Sequence, residues 1–178
     1  MKRTTFILIA VLLLASCDQV IFTEPQPARS KALKSIPEQL QGKWLDHNGD
    51  TLTVFTSSFI YHSEDYSIEE PEYLSDSAVL KAYKGNYFYS RKVKIDGMDY
   101  WFTYILDPDE EFVGMDLYVM DPGDIVKLAK LQEITSKIKD IEEGETNYYL
   151  FAPKRRHYKK IMADTIFTNM VSFRKIKD

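Results

Sequence analysis

At 178 residues, 44% of them apolar, the chain has room for one domain plus short appendages and enough apolar side chains to close a core, which excludes a disordered polypeptide. Its 23 Lys and Arg stand against 27 Asp and Glu, a formal charge of −4, so a broadly basic surface is excluded and no nucleic-acid partner is expected. The single cysteine rules out an internal disulfide framework, seven glycines rule out a collagen-like or glycine-linker design, and 13% aromatic residues favour strands.

The N-terminus places Lys2 and Arg3 before an unbroken apolar run over residues 6–15. That run is about half the roughly 20 residues that a membrane-spanning helix needs, which is the pattern of a signal peptide. The sequence Leu14-Ala15-Ser16-Cys17 that follows resembles the lipobox of bacterial lipoproteins, in which the cysteine is lipidated and everything before it is removed. The resemblance implies a signal peptide over 1–16, a membrane anchor at Cys17 and a place in the bacterial cell envelope. Asp18 resembles the inner-membrane retention signal of enterobacterial lipoproteins, a rule that does not carry to all bacteria, so membrane and face stay open. Cleavage removes Lys2 and Arg3 from the −4 of the whole chain, leaving −6, so acyl chains rather than charge would do the anchoring.

Residues 17–35 include Glu24-Pro25-Gln26-Pro27, a proline-spaced polar stretch without apolar periodicity, and read as a lipidated N-terminus with a flexible tether. A single domain is expected over 36–178. Strands are predicted at 42–45 and 51–55 around the Asn48-Gly49 turn, and at 59–62. Residues 63–77 carry six acidic side chains and no basic one, an exposed loop. A short helical turn is predicted over 78–82, with Gly85 as its stop. Strands 87–95 and 98–106, joined by Asp96-Gly97, form the clearest hairpin, and another strand covers 112–120.

Asp121-Pro122-Gly123-Asp124 reads as a helix start, followed by Ile125, Leu128, Leu131, Ile134, Ile138 and Ile141 on one stripe. Thr135-Ser136 allows an earlier stop, with 134–141 extended instead. A strand at 148–151, a helix from Pro153 to Met162 and a strand at 165–176 close the chain. The expected fold class is α+β, a predominantly antiparallel sheet, curled or barrel-like, with two helices inserted late.

Gly42-Lys43-Trp44 resembles the opening of lipocalin-like barrels, whose tryptophan plugs the barrel base beneath a basic residue of the last strand. The resemblance implies that role for Arg174. The lipobox, the 36–42 lead, the 87–89 strand and the segments at 151–153 and 173–176 together resemble a group of small uncharacterised bacterial lipoproteins, which implies an address and domain limits but no activity.

The histidines His47, His62 and His157 lack zinc-ligand spacing, and no nucleotide-loop or hydrolase-elbow motif is present, so no metal, cofactor or catalytic residue is expected. The acidic turn 107–111 reads as a solvated hairpin tip, with calcium binding as the rival reading. Asp96, Asp99 and Asp116 raise a glycosidase pair, which needs two carboxyl groups about 5–9 Å apart. Tyr87, Tyr89, Tyr100, Phe102 and Tyr104 share one parity of the central hairpin, with Phe88, Trp101 and Thr103 on the other; either parity left open would make a ligand platform. The basic run Lys154-Arg155-Arg156 is expected to offset the two acidic loops, with an anion site as the rival. Three functions stay open in this order: a non-catalytic, membrane-anchored envelope lipoprotein that binds a partner protein or small ligand; a barrel carrying a lipophilic or glycan ligand; an envelope hydrolase.

Overall fold

The computed structural model describes residues 18–63, 70–144, 146–163 and 166–176. Within them the chain is a mostly antiparallel, curled sheet with two helices late in the sequence, as its patterning predicts. The strands are β1 (Gln19–Phe22), β2 (Gly42–Leu45), β3 (Thr51–Val54), β4 (Ser58–His62), β5 (Glu72–Tyr73) and β6 (Ala78–Tyr83). They continue as β7 (Asn86–Ile95), β8 (Met98–Pro108), β9 (Gly114–Val119), β10 (Lys137–Glu143), β11 (Thr146–Phe151) and β12 (Thr168–Lys175). The helices are α1 (Ile125–Ile134) and α2 (Tyr158–Ala163).

Strand β8 is the hub. One edge pairs with β7 from Ile95↔Met98 to Tyr87↔Leu106. Its other edge is shared: Trp101 bridges to Phe22 of β1, and from Ile105 onward β9 takes over. The sheet therefore branches, one arm running β1-β11-β10 and the other β9-β12-β2-β3-β4-β5. It is a curled sheet and does not close into a barrel.

Local chemistry explains most of the hairpins. Asp96 (φ 49°) and Gly97 (φ 73°) both take left-handed backbone, the two-residue turn whose twist matches its flanking strands. Lys84 (φ 52°) and Gly85 (φ 86°) do the same between β6 and β7. Gly85 is thus a hairpin turn and not a helix stop, and the turn predicted over 78–82 is a strand. Ala78 and Leu80 alternate into the core, and pairing with the whole length of β7 outweighs their helix preference. The helix start is also displaced: Asp121 accepts the Gly123 N–H within a turn, while Asp124 caps α1 by accepting the Lys127 N–H at 3.1 Å. Thr135 ends the helix, and Lys137–Glu143 is the strand β10.

The largest departure is at the N-terminus. The segment expected to be a tether is part of the domain: Gln19–Phe22 is a strand paired in parallel with β11, and Val20, Ile21 and Phe22 are buried. Val20 and Phe22 face the cluster of Phe88, Phe151, Tyr158 and Ile161; Ile21 faces that of Ile95, Tyr100, Ile141 and Leu150. A strand buried on both faces has no alternation to reveal it. Beyond it, Gln26 is fully buried, Lys81 donates to the Pro25 and Pro27 carbonyls at 2.6 and 3.2 Å, and Tyr158 donates to Gln26 Oε1 at 2.8 Å. Ala32 then bridges to Lys81, and Leu33 donates its N–H to Leu80. A third cluster, centred on Trp44, fills the curl between β2, β3, β7, β9 and β12.

Candidate functional site

Trp44 is wholly buried, and its Nε1–H donates to the Leu40 carbonyl at 2.9 Å. The cation over its ring is Lys175, 5.2 Å from the centroid, and not Arg174. Strand register decides this: Lys175 pairs directly with Trp44, so the two share a face, whereas Arg174 pairs with Leu45 and is exposed. Lys175 Nζ also donates to the Gln39 carbonyl. Gly42 stands at φ 120°, and a Cβ there would lie 3.1 Å from Lys175 Cε, so the glycine of Gly-Lys-Trp makes room for the lysine stem.

The aromatic residues of one parity on β7 and β8 are divided between two clusters. Tyr87 and Tyr89 are buried in the Trp44 cluster, with Phe59 5.1 Å from Tyr89 and Tyr104 stacked on it at 6.3 Å. Burial, then the neighbouring Glu72 carboxylate, pushes the Tyr89 hydroxyl well above its ordinary range. Tyr100 is buried in the cluster around Ile95, with half-buried Phe102 beside it and 4.9 Å from Tyr104. The opposite parity packs Phe88 and Trp101 beneath the helices. Most of these side chains are held in packed clusters, while Phe102 also lines a hollow at the surface.

Asp116 lies apart from the other two carboxylates considered for glycoside chemistry. Asp96 sits in the hairpin turn, and Asp99 pairs with Lys92 at 3.7 Å. Asp116 stands opposite Asp107, eight residues along β8 from Asp99 and so roughly 26 Å away at about 3.3 Å per residue. The register instead brings Asp107 and Asp116 together, a pairing that the sequence reading missed because it depends on how β9 aligns. Burial first, and the Asp116 charge second, raise the Asp107 carboxyl above its ordinary range. Asp116 accepts from Tyr118 and Ser172. In the 107–111 turn, Asp109 accepts the Val113 and Gly114 N–H groups at 2.9 and 2.7 Å, so its carboxylate closes the hairpin.

Two of the surface hollows among the described residues lie at the two ends of β1. The first, about 280 Å³, opens beside Asp18 and is lined by Phe102, Met120, Pro122, Thr168 and Met170 among others. Asp18 accepts from Asn147 at 2.9 Å and Tyr149 at 3.0 Å, which fixes the start of β1. Met170 is 56% exposed at this rim, and Ile125 and Val126, 76% and 60% exposed, follow Pro122 at the start of α1. Lys127 ties that helix end to Thr168 at 2.9 Å. Cys17 itself lies outside the described residues.

The second hollow, about 430 Å³, lies past the opposite ends of β1 and β11. Lys154, Arg155 and Arg156 line it with Arg29 and Glu24. The four ion pairs found among the described residues involve Arg91, Lys92, Lys127 and Lys137, and none joins this basic run to an acidic loop. Residues 64–69 of the first acidic loop lie outside the described residues. Burial, then Arg156 and Lys154, holds the His157 imidazole below its ordinary range.

Among the described residues no helix is long and apolar enough to cross a membrane. Comparison with family models, curated proteins and solved structures finds no match to this chain.

Proposed function

We propose that this chain is a non-catalytic bacterial envelope lipoprotein, anchored through Cys17, whose domain rests directly on the bilayer and serves as a binding module. The observation that carries the reading is the position of β1. It begins at Gln19, two residues after the lipobox cysteine, and it is fixed by pairing with β11 and by the bonds of Asp18. Consecutive Cα atoms are about 3.8 Å apart, so a diacyl anchor at Cys17 would hold the Asp18 end of the domain within about 8 Å of the lipid interface. Exposed Met170 lines the hollow beside Asp18, and exposed Ile125 and Val126 follow Pro122, which lines the same hollow. With a formal charge of −6 after cleavage, contact through apolar side chains fits this surface better than attraction to anionic lipid does.

Mass spectrometry of the mature protein tests the anchor: an acylated Cys17 is expected, and an unmodified N-terminus elsewhere overturns it. The seating is tested with Val126→Cys, labelled with a polarity-sensitive fluorophore on the lipidated protein in vesicles. Emission should shift to that of an apolar medium relative to a label at Lys159→Cys. Equal emission from the two would mean that the domain stands off the bilayer.

A further inference from the structure

We infer that the hollow bounded by Arg29, Lys154, Arg155 and Arg156 is a binding site for the phosphate group of a ligand that is not the anchoring bilayer. Four cations and one carboxylate, Glu24, line it. They come from two segments that sequence separates and the fold joins. Strands β1 and β11 are the parallel pair of the sheet, and they end side by side at Phe22↔Phe151. The chain leaving β1 forms one wall and the chain leaving β11 forms the other.

Both walls are held in place before any ligand arrives. On the first, Gln26 donates its N–H to Ser90 Oγ at 3.0 Å and receives the Tyr158 hydroxyl, while Lys81 clasps the carbonyls of Pro25 and Pro27. Arg29 leaves this clasp with φ 61°, a left-handed conformation that a β-carbon disfavours, and its guanidinium is exposed at the rim. On the second wall, Pro153 is buried and His157 Nδ1 accepts the Lys154 N–H at 3.3 Å. Like charges gathered on rigid walls repel one another, and an anion relieves that cost. Three guanidinium forks suit the several oxygens of a phosphate group better than a single carboxylate.

The source of the phosphate follows from direction. From Gln19 to Phe22 the chain climbs four residues of extended backbone, about 13 Å, away from the anchor. On the proposed seating, on which only this directional step rests, the hollow faces away from the anchoring membrane. Its ligand then comes from the opposite side.

Titration calorimetry with pyrophosphate, on the lipidated protein in neutral-lipid vesicles, tests the site. Saturable binding is expected, weakening at least tenfold in Arg155→Gln/Arg156→Gln and in Arg29→Gln, and unchanged in Lys159→Gln. The altered side chains are exposed, so melting temperatures serve as the folding control. Absence of binding, or equal affinity in wild type and Arg155→Gln/Arg156→Gln, overturns the site. Repeating the titration in vesicles rich in phosphatidylglycerol separates the sources. Unchanged affinity supports a ligand away from the bilayer, and competition by the anionic lipid overturns that assignment. If the protein proves unacylated yet binds pyrophosphate, the anchor reading fails and the site stands; if it is acylated and binds none, the reverse holds.

Discussion

The hairpins around Trp44 and the arm built on β1 reach similar burial by different routes. Around Trp44, β2–β3, β3–β4, β6–β7, β7–β8 and β8–β9 are neighbours in sequence and in space. Each closes over a short loop, and β12 then ties β2 to β9 across a long separation, Lys175 pairing with Trp44. The β1 arm depends on pairing across about 129 residues, the separation of Asp18 from Asn147. Closing so long a loop costs entropy before any contact repays it, so this arm needs dense burial to persist. It has that burial: Val20, Ile21 and Phe22 are each at or below 3% exposed. The contrast teaches that a short apolar stretch near a terminus can be structural without an alternating pattern or a turn beside it.

Removing the N-terminal segment is the sharpest way to break this comparison. Burial of side chains such as Val20, Ile21 and Phe22 contributes about 1.5–3 kcal/mol each, a sum comparable with the roughly 5–15 kcal/mol that separates folded from unfolded domains. A chain beginning at Ser35 should therefore lose its cooperative thermal transition by circular dichroism, while one beginning at Asp18 keeps it. Matching transitions would return residues 18–34 to the status of a tether.

A smaller effect probes the hairpin-built side. Lys175→Ala removes the cation over Trp44 and the stem packed on Gly42, at a cost of about 1 kcal/mol. Arg174→Ala should stay within about 0.5 kcal/mol, as for an ordinary surface site. Urea unfolding of the two variants distinguishes them, and a larger loss in Arg174→Ala would contradict the register of β12 against β2.

The smallest effect concerns the facing carboxylates of β8 and β9. The folded state holds the Asp107 proton more tightly than the unfolded chain does, so ionisation is penalised in the fold. That penalty is absent below the ordinary value of 3.8 and grows as pH rises through the raised folded value. Asp107 is only half-buried, and solvent screening limits the effect, so Asp107→Asn should stabilise the protein by a few tenths of a kcal/mol at pH 7. Urea midpoints should converge by pH 3.5. A variant less stable at pH 7 would mean that Asp107 is held by a favourable partner instead.

Sequence alone determined the features that depend on neighbours in the chain. Asp96-Gly97 announces its hairpin because few other residue pairs accept two left-handed positions, and the alternating parity of Tyr87, Tyr89, Tyr100, Phe102 and Tyr104 is a property of extended backbone itself. Trp44 was legible as a core anchor, and the Lys154–Arg156 cations as a charged cluster. Tertiary structure alone decided what each parity meets. It divided the hairpin's aromatic side chains among separate clusters, set Lys175 rather than Arg174 over Trp44 through strand register, and placed Asp107 opposite Asp116. It also turned Gln19–Phe22 into a parallel strand and brought Arg29 to Lys154, Arg155 and Arg156. Those outcomes were hidden because periodicity records which residues share a face, whereas pairing partners more than a hundred residues apart are chosen by the packing of the whole sheet.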